Sequence, residues 1–91
     1  MQSVWELLNE RDLVDSERKA EHERLRVTKI MVQLEDGLKR AEAEYIMMLQ
    51  HRHIIMCARR LGEIDRQIAE ITAKMEQSAN RQEGADNDEV S

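Results

Sequence analysis

The sequence predicts an all-α protein, and three observations carry that prediction. Proline is absent, glycine occurs only three times, and apolar side chains recur at helical spacing over long stretches. Charged residues make up 36% of the chain, which is typical of long exposed helices. A chain of 91 residues without Phe buries little surface, so its core is expected to be thin and aliphatic.

The centre of the chain contains two runs of apolar residues whose spacing alternates between three and four. Such spacing keeps one stripe of a helix facing a partner helix, as in a coiled coil. The two runs are out of phase with each other. The first run is Val27, Met31, Leu34, Leu38, Ala41, Tyr45 and Met48, and the second is Ile54, Cys57, Leu61, Ile64, Ile68, Ile71 and Met75.

The phase break predicts an antiparallel coiled-coil helical hairpin, with helices Leu25–Leu49 and Ile54–Met75 and a chain reversal near His51. Neither Gly37 nor Gly62 is expected to end a helix, because a run crosses each of them. The segment between the predicted helices lacks Gly, Pro, Asn and Asp, which short helix connections usually contain. One long continuous helix in a coiled-coil oligomer therefore stays open as an alternative.

The two ends of the chain differ in character. Val4–Val14 is rich in apolar residues and is expected to form an N-terminal helical extension. From Glu76 onward there are five acidic side chains and one basic one. Residues 1–77 are thus expected to form a single helical domain, and residues 78–91 an acidic disordered tail.

Composition also bounds the cellular context. No basic segment followed by an apolar run opens the sequence, so no signal peptide is expected. The longest apolar stretches have five residues, far below the roughly 20 that a membrane span requires. A lone cysteine excludes an intramolecular disulfide and is compatible with a reducing compartment. A cytoplasmic protein without a membrane partner is the expectation.

The chain has more apolar residues than a two-helix seam can bury. An apolar surface of this kind normally marks an interface, so we expect a homo-oligomer (a dimer of hairpins forming a helical bundle) or capture of a helix from a protein partner. The expected function is a protein–protein interaction module, such as an adaptor, an assembly factor or a small helical chaperone. The predicted partner-binding residues are Trp5, Leu7, Leu8, Ile46, Met47, Leu49, Ile55 and Met56.

Catalytic or cofactor chemistry is not expected. No glycine-rich phosphate loop is present, the acidic residues fall at exposed helical positions, and no small-molecule substrate is predicted. His53 and Cys57 are spaced to share a helix face, but a tetrahedral metal site needs further ligands and no second Cys exists. Cys57 is therefore expected to be a seam residue opposite Tyr45, with no metal bound.

A small helical nucleic-acid-associated regulator is the alternative function. Its basic end would contain Arg52, Arg59 and Arg60. Three arginines are few for a phosphate-binding surface, and the acidic tail would oppose binding, so nucleic acid is not the favoured partner.

Overall fold

The computed structural model describes the backbone of residues 2–90 and the side chains of residues 2–80. Two helices account for the fold: α1 (Val4–Leu34) and α2 (Gly37–Val90). They pack side by side in an elongated molecule measuring 81 × 17 × 15 Å. The predicted all-α helical hairpin is confirmed.

The start and end of α1 follow from local hydrogen bonding. Ser3 is the N-cap, and its Oγ accepts a hydrogen bond from the backbone N–H of Glu6 at 3.2 Å. The sequence Ser-x-x-Glu is a capping box, which supplies a partner for an N–H that the helix itself leaves free. At the other end Glu35 adopts extended backbone angles, and its N–H donates to the Met31 carbonyl at 2.9 Å. The helix therefore ends at Leu34.

The chain reverses at residues 35 and 36, so the predicted reversal near His51 is wrong. Gly37, the first residue of α2, has a φ of +61°, in the left-handed region that glycine enters without the steric cost of a Cβ. Leu49–His53 lies inside α2, where the absence of a turn-forming residue lets the helix continue. An Asp-Gly pair breaks the helix even though the first apolar run crosses it.

The second apolar run, as far as Ile71, is confirmed as part of the seam, the face of α2 that packs against α1. Its phase also extends towards the turn, through residues that are buried or half-buried at the same three-four spacing. Met75, the last member of the run, is 63% exposed. The full seam of α2 is Ala43, Met47, Gln50, Ile54, Cys57, Leu61, Ile64, Ile68 and Ile71.

The seam of α1 is not the first apolar run. It advances in steps of three or four over buried and half-buried residues that include four polar side chains, namely Leu7, Glu10, Val14, Arg18, Glu21, Leu25, Thr28 and Val32. The buried Glu21 carboxylate is paired with Arg24, and the Thr28 hydroxyl donates to the Arg24 carbonyl at 3.0 Å. These bonds offset the cost of burying polar groups. Because the stripe is partly polar, counting apolar residues does not reveal it.

Ion pairs between the helices fix their register. Arg60 of α2 binds Glu10 of α1 through two guanidinium nitrogens, one of them 2.7 Å from the Glu10 carboxylate. Nearby, Arg11 pairs with Asp65 at 3.2 Å. The N-terminal part of α1 therefore lies along residues 60–65 of α2, as an antiparallel hairpin that turns at residues 35–36 requires.

The C-terminal residues add length to α2, whose backbone continues to Val90. The acidic tail expected at 78–91 overlaps this part of the helix, and the side chains of residues 81–91 lie outside the described residues. The division of the chain at residue 77 stays a prediction. Neither helix has, within its described residues, an apolar stretch long enough to cross a membrane.

Candidate interaction surface

A concentration of exposed apolar side chains covers the half of the hairpin next to the turn. Of fourteen large hydrophobic residues that are exposed among the described side chains, eleven fall between residues 27 and 56. We call these eleven the turn-end surface. They are Val27, Ile30, Met31, Leu34, Leu38, Tyr45, Ile46, Met48, Leu49, Ile55 and Met56, and each exposes at least 40% of its area.

Helical periodicity explains why these residues are exposed. At 3.6 residues per turn, Leu38, Tyr45 and Met56 fall on the side of α2 opposite its seam. Val27 and Leu34 likewise fall on the outer side of α1. The first apolar run is therefore a genuine periodic stripe on each helix, but it faces solvent and not the other helix.

The predicted partner-binding residues between 46 and 56 differ in their exposure to solvent. Ile46, Leu49, Ile55 and Met56 are exposed and belong to the turn-end surface. Met47 is half-buried in the α2 seam, so it contributes to the hairpin itself.

The N-terminal members of the predicted partner-binding set differ in the same way. Leu7 is 1% exposed and belongs to the α1 seam, and Leu8 is half-buried. Trp5 is 76% exposed and, with Val4 and Met75, lines a groove of about 480 Å³ near the start of α1. Trp5 is therefore far along the molecule from the turn-end surface. Binding of a partner at either place stays a prediction.

Other grooves lie on the described surface. One of about 460 Å³ belongs to the turn-end surface and is lined by Ala41, Glu42, Tyr45 and Ile46. Another, about 700 Å³, lies between the N-terminal part of α1 and α2, and its lining includes Glu6, Arg66, Glu70 and Lys74. The former is mainly apolar and the latter carries both signs of charge.

No protein family, curated protein or solved structure matches this chain. The geometry of its own side chains is thus the ground for any functional inference.

The arginines of the predicted basic end lie within α2, not at the turn. Arg60 is held by Glu10 and by Glu63, the latter at 3.1 Å, and these carboxylates neutralise its charge. Arg52 and Arg59 are exposed on the outer side of α2. Of the three arginines predicted to form the basic end, Arg52 and Arg59 are thus exposed to solvent, and Arg60 is paired with carboxylates of the same chain.

A cluster of metal-ligating side chains spans the seam near the middle of the hairpin. Glu17 of α1 meets His53 and Cys57 of α2, and one donor atom from each lies within 4.8 Å of the other two. His53 Nε2 is 3.9 Å from Glu17 Oε2, and His53 Nδ1 is 3.7 Å from Glu21 Oε1. Sequence reasoning found the spacing of His53 and Cys57 but missed both glutamates, because it placed α1 in the wrong register.

The electrostatics of this cluster are those of a partly buried thiol next to carboxylates. Burial raises the pKa of Cys57, and the charges of Glu17 and Glu21 raise that pKa further, while Arg18 opposes them. Cys57 is buried, whereas the His53 and Glu17 side chains are 43% and 64% exposed. The thiol of the cluster is therefore shielded from solvent, while its imidazole and the Glu17 carboxylate, which form the rim of the cluster, are accessible to water.

Proposed function

We propose that this protein is a non-enzymatic protein–protein interaction module that associates through the turn-end surface, with a second copy of the chain as its first partner. The observation that carries the proposal is the exposure of the first apolar run. Apolar residues at coiled-coil spacing are usually buried by another helix, and α1 and α2 do not bury these.

The size of the turn-end surface suits a stable association. Burying one large apolar side chain is worth about 1.5–3 kcal/mol, and joining two proteins costs about 4–15 kcal/mol. Several of the eleven residues must therefore be covered together. The members that belong to the first apolar run keep a three-four spacing, which places those of one helix in a row that another helix can cover.

The balance of charge supports a second copy as the partner. Residues 1–75 contain fourteen acidic and thirteen basic side chains, so two copies of this part do not strongly repel each other. A role as an adaptor, an assembly factor or a small chaperone, and a cytoplasmic location, are the predictions that accompany this proposal.

The test adds charge to the turn-end surface without touching the seam. Tyr45→Glu combined with Met56→Glu places carboxylates at two positions that are each 60% exposed. The matched control is Ala69→Glu with Ala73→Glu, which adds the same charge at exposed α2 positions outside that surface. Light scattering gives the molar mass of each protein, and circular dichroism gives its helix content.

We expect the natural chain and the control to have at least twice the mass of one 10.7 kDa chain, and the Tyr45/Met56 variant to be monomeric with its helix content kept. A natural chain that is monomeric at every concentration would contradict self-association. Unchanged mass in the Tyr45/Met56 variant would show that assembly uses another surface.

A further inference from the structure

We propose that a zinc ion binds between the two helices, coordinated by Glu17, His53 and Cys57, with Glu21 orienting the imidazole. Each helix supplies a pair of residues four apart, which lie on the same helix face. Glu17 and Glu21 come from α1, and His53 and Cys57 from α2. The antiparallel packing places the two pairs opposite each other.

The distances are close to those that a zinc site requires. Zinc bonds to sulfur, nitrogen and oxygen are about 2.0–2.3 Å long, so a tetrahedral ion holds its ligand atoms roughly 3.4–3.7 Å apart. His53 Nε2 and Glu17 Oε2 are 3.9 Å apart, and the three donor atoms lie within 4.8 Å of one another. Closing this gap requires rotation of the Glu17 and His53 side chains, which are 64% and 43% exposed and so have room to turn.

Glu21 gives the site a feature of metal-bound histidines. When a histidine binds zinc through one ring nitrogen, the other N–H usually donates to a carboxylate or a carbonyl, which fixes the ring. If Nε2 binds the ion beside Glu17, Nδ1 faces Glu21 Oε1 at 3.7 Å, and a ring rotation that shortens this distance to about 3 Å lets Nδ1–H donate to that oxygen. The Glu21 side chain is only 10% exposed, and its other oxygen is held by Arg24, so this carboxylate is well fixed.

The donor set selects zinc over other common ions. A thiolate and an imidazole suit zinc, whereas magnesium and calcium prefer oxygen ligands only, and a carboxylate is a poor ligand for Cu(I). Binding converts the Cys57 thiol to a zinc-bound thiolate, and its proton passes to the buffer. Water from the exposed rim supplies the fourth ligand.

The surrounding charges allow a cation to enter. Glu17 and Glu21 contribute two negative charges next to the site. Arg18, the cation that faces Cys57, is paired with Asp15 at 2.7 Å. Because Arg24 neutralises Glu21, the cluster is left with the charge of Glu17. A divalent ion and the new thiolate together add one positive charge, which brings the cluster close to neutral.

The experiment uses the full reduced chain after removal of metal by a chelator. Zn²⁺ is titrated in competition with a chromophoric chelator to give affinity and stoichiometry, and Co²⁺ is used as a spectroscopic probe of the ligands. The variants are Cys57→Ser, His53→Gln, Glu17→Gln and Glu21→Gln. His51→Gln is the control, because His51 is exposed on the same helix and lies outside the cluster.

We expect one zinc ion per chain and a thiolate-to-cobalt charge-transfer band that disappears in Cys57→Ser but remains in Glu17→Gln. Zinc affinity should fall at least tenfold in each of the three ligand variants and about 10–100-fold in Glu21→Gln. It should stay unchanged in His51→Gln. Because Glu17 and His53 lie at the rim, their variants should keep the helix content of the natural chain.

Two results would overturn the proposal. Equal zinc affinity in the natural chain and in Cys57→Ser would show that the thiol is not a ligand. One ion per two chains, with affinity unaffected by Glu17→Gln, would mean that the ion is held between chains by other residues.

Discussion

Arg60 binds three side chains and connects the start of α1 to the middle of α2. It contacts Glu10 with two nitrogens, Glu63 of its own helix at 3.1 Å, and the Gln2 side-chain oxygen at 3.3 Å. A guanidinium group fits a carboxylate in this two-point geometry, which a lysine does not reproduce. Arg60 therefore sets where along α2 the N-terminal part of α1 lies.

The Glu10–Arg60 pair should make stability depend on pH in the acid range. Hydrogen bonds from Arg60 and then Gln2 hold the pKa of Glu10 at about 2, below its ordinary value of 4.5. A lowered folded-state pKa stabilises the fold above the unfolded pKa, and this contribution is lost as pH falls from about 4.5 towards about 2. Glu10→Gln should flatten the stability curve in that window.

Denaturant unfolding at a series of pH values, followed by circular dichroism, checks this prediction. Asp12→Asn is the control, because Asp12 is an exposed acid two residues away that pairs with none of the described side chains. If Glu10→Gln and Asp12→Asn leave the same pH dependence as the natural chain, the ion pair does not contribute to stability.

At the level of the helices, the position of the turn depends on Gly37. Its φ of +61° is unfavourable for residues with a Cβ, while an added Cβ would meet no atom within 4 Å. The requirement for glycine thus comes from the backbone conformation of residue 37 itself and not from contact with neighbouring residues. Gly62, inside α2, also has open space around it and has no such backbone requirement.

Alanine at the two glycines should have opposite effects on the free energy of unfolding. Gly37→Ala should lower it by about 1–2 kcal/mol, the cost of a left-handed conformation for an L-residue. Gly62→Ala should raise it by about 0.5–1 kcal/mol, because alanine loses less backbone entropy in a helix interior. Urea titration measures both, and a stabilising Gly37→Ala would contradict this account of the turn.

The sequence allowed the helical class and much of the α2 seam to be predicted, but not the partner of that seam. The run from Ile54 to Ile71 is apolar at every position, so its periodicity alone reveals the buried face. The α1 seam contains Arg18, Glu21 and Thr28, whose burial depends on bonds that a count of apolar residues does not detect. The capping box at Ser3 and the Asp36-Gly37 pair are the sequence signals that mark the two ends of α1, and the apolar periodicity alone does not reveal them.

The predicted partner-binding surface also shows what periodicity leaves undetermined. A perfect three-four run of apolar residues indicates that some helix covers it, but it does not indicate that this helix belongs to the same chain. Tyr45 was expected opposite Cys57 and is instead 60% exposed. The identity of the covering helix depends on where the chain turns, which periodicity does not specify.

For the whole molecule, the position of the turn fixes distances that spectroscopy can measure. Between Gly37 and Asp65, α2 rises about 42 Å at 1.5 Å per residue, so spin labels at Glu35 and Asp65 should be about that far apart. Labels at Ala20 and His51 should be close, because the two helices pack side by side.

Pulsed electron resonance on the two doubly labelled chains measures both distances, at low labelling density so that signals between chains stay small. A short Glu35–Asp65 distance would restore the turn near His51. A separation of about 46 Å between Ala20 and His51, as 31 residues of continuous helix require, would exclude the hairpin altogether.

The placement of the turn-end surface on the outer sides of both helices has a consequence for symmetry. The seam sides of α1 and α2 face each other, so their outer sides point in opposite directions. A two-fold contact through the outer side of α2, around Tyr45 and Met56, would leave Val27 and Leu34 of α1 in water. A closed pair therefore cannot satisfy both sides at once. To bury the outer sides of both helices, the protein needs either a second kind of interface or contacts between α1 of one copy and α2 of the next. Such head-to-tail contacts form a ring if they close and a filament if they do not.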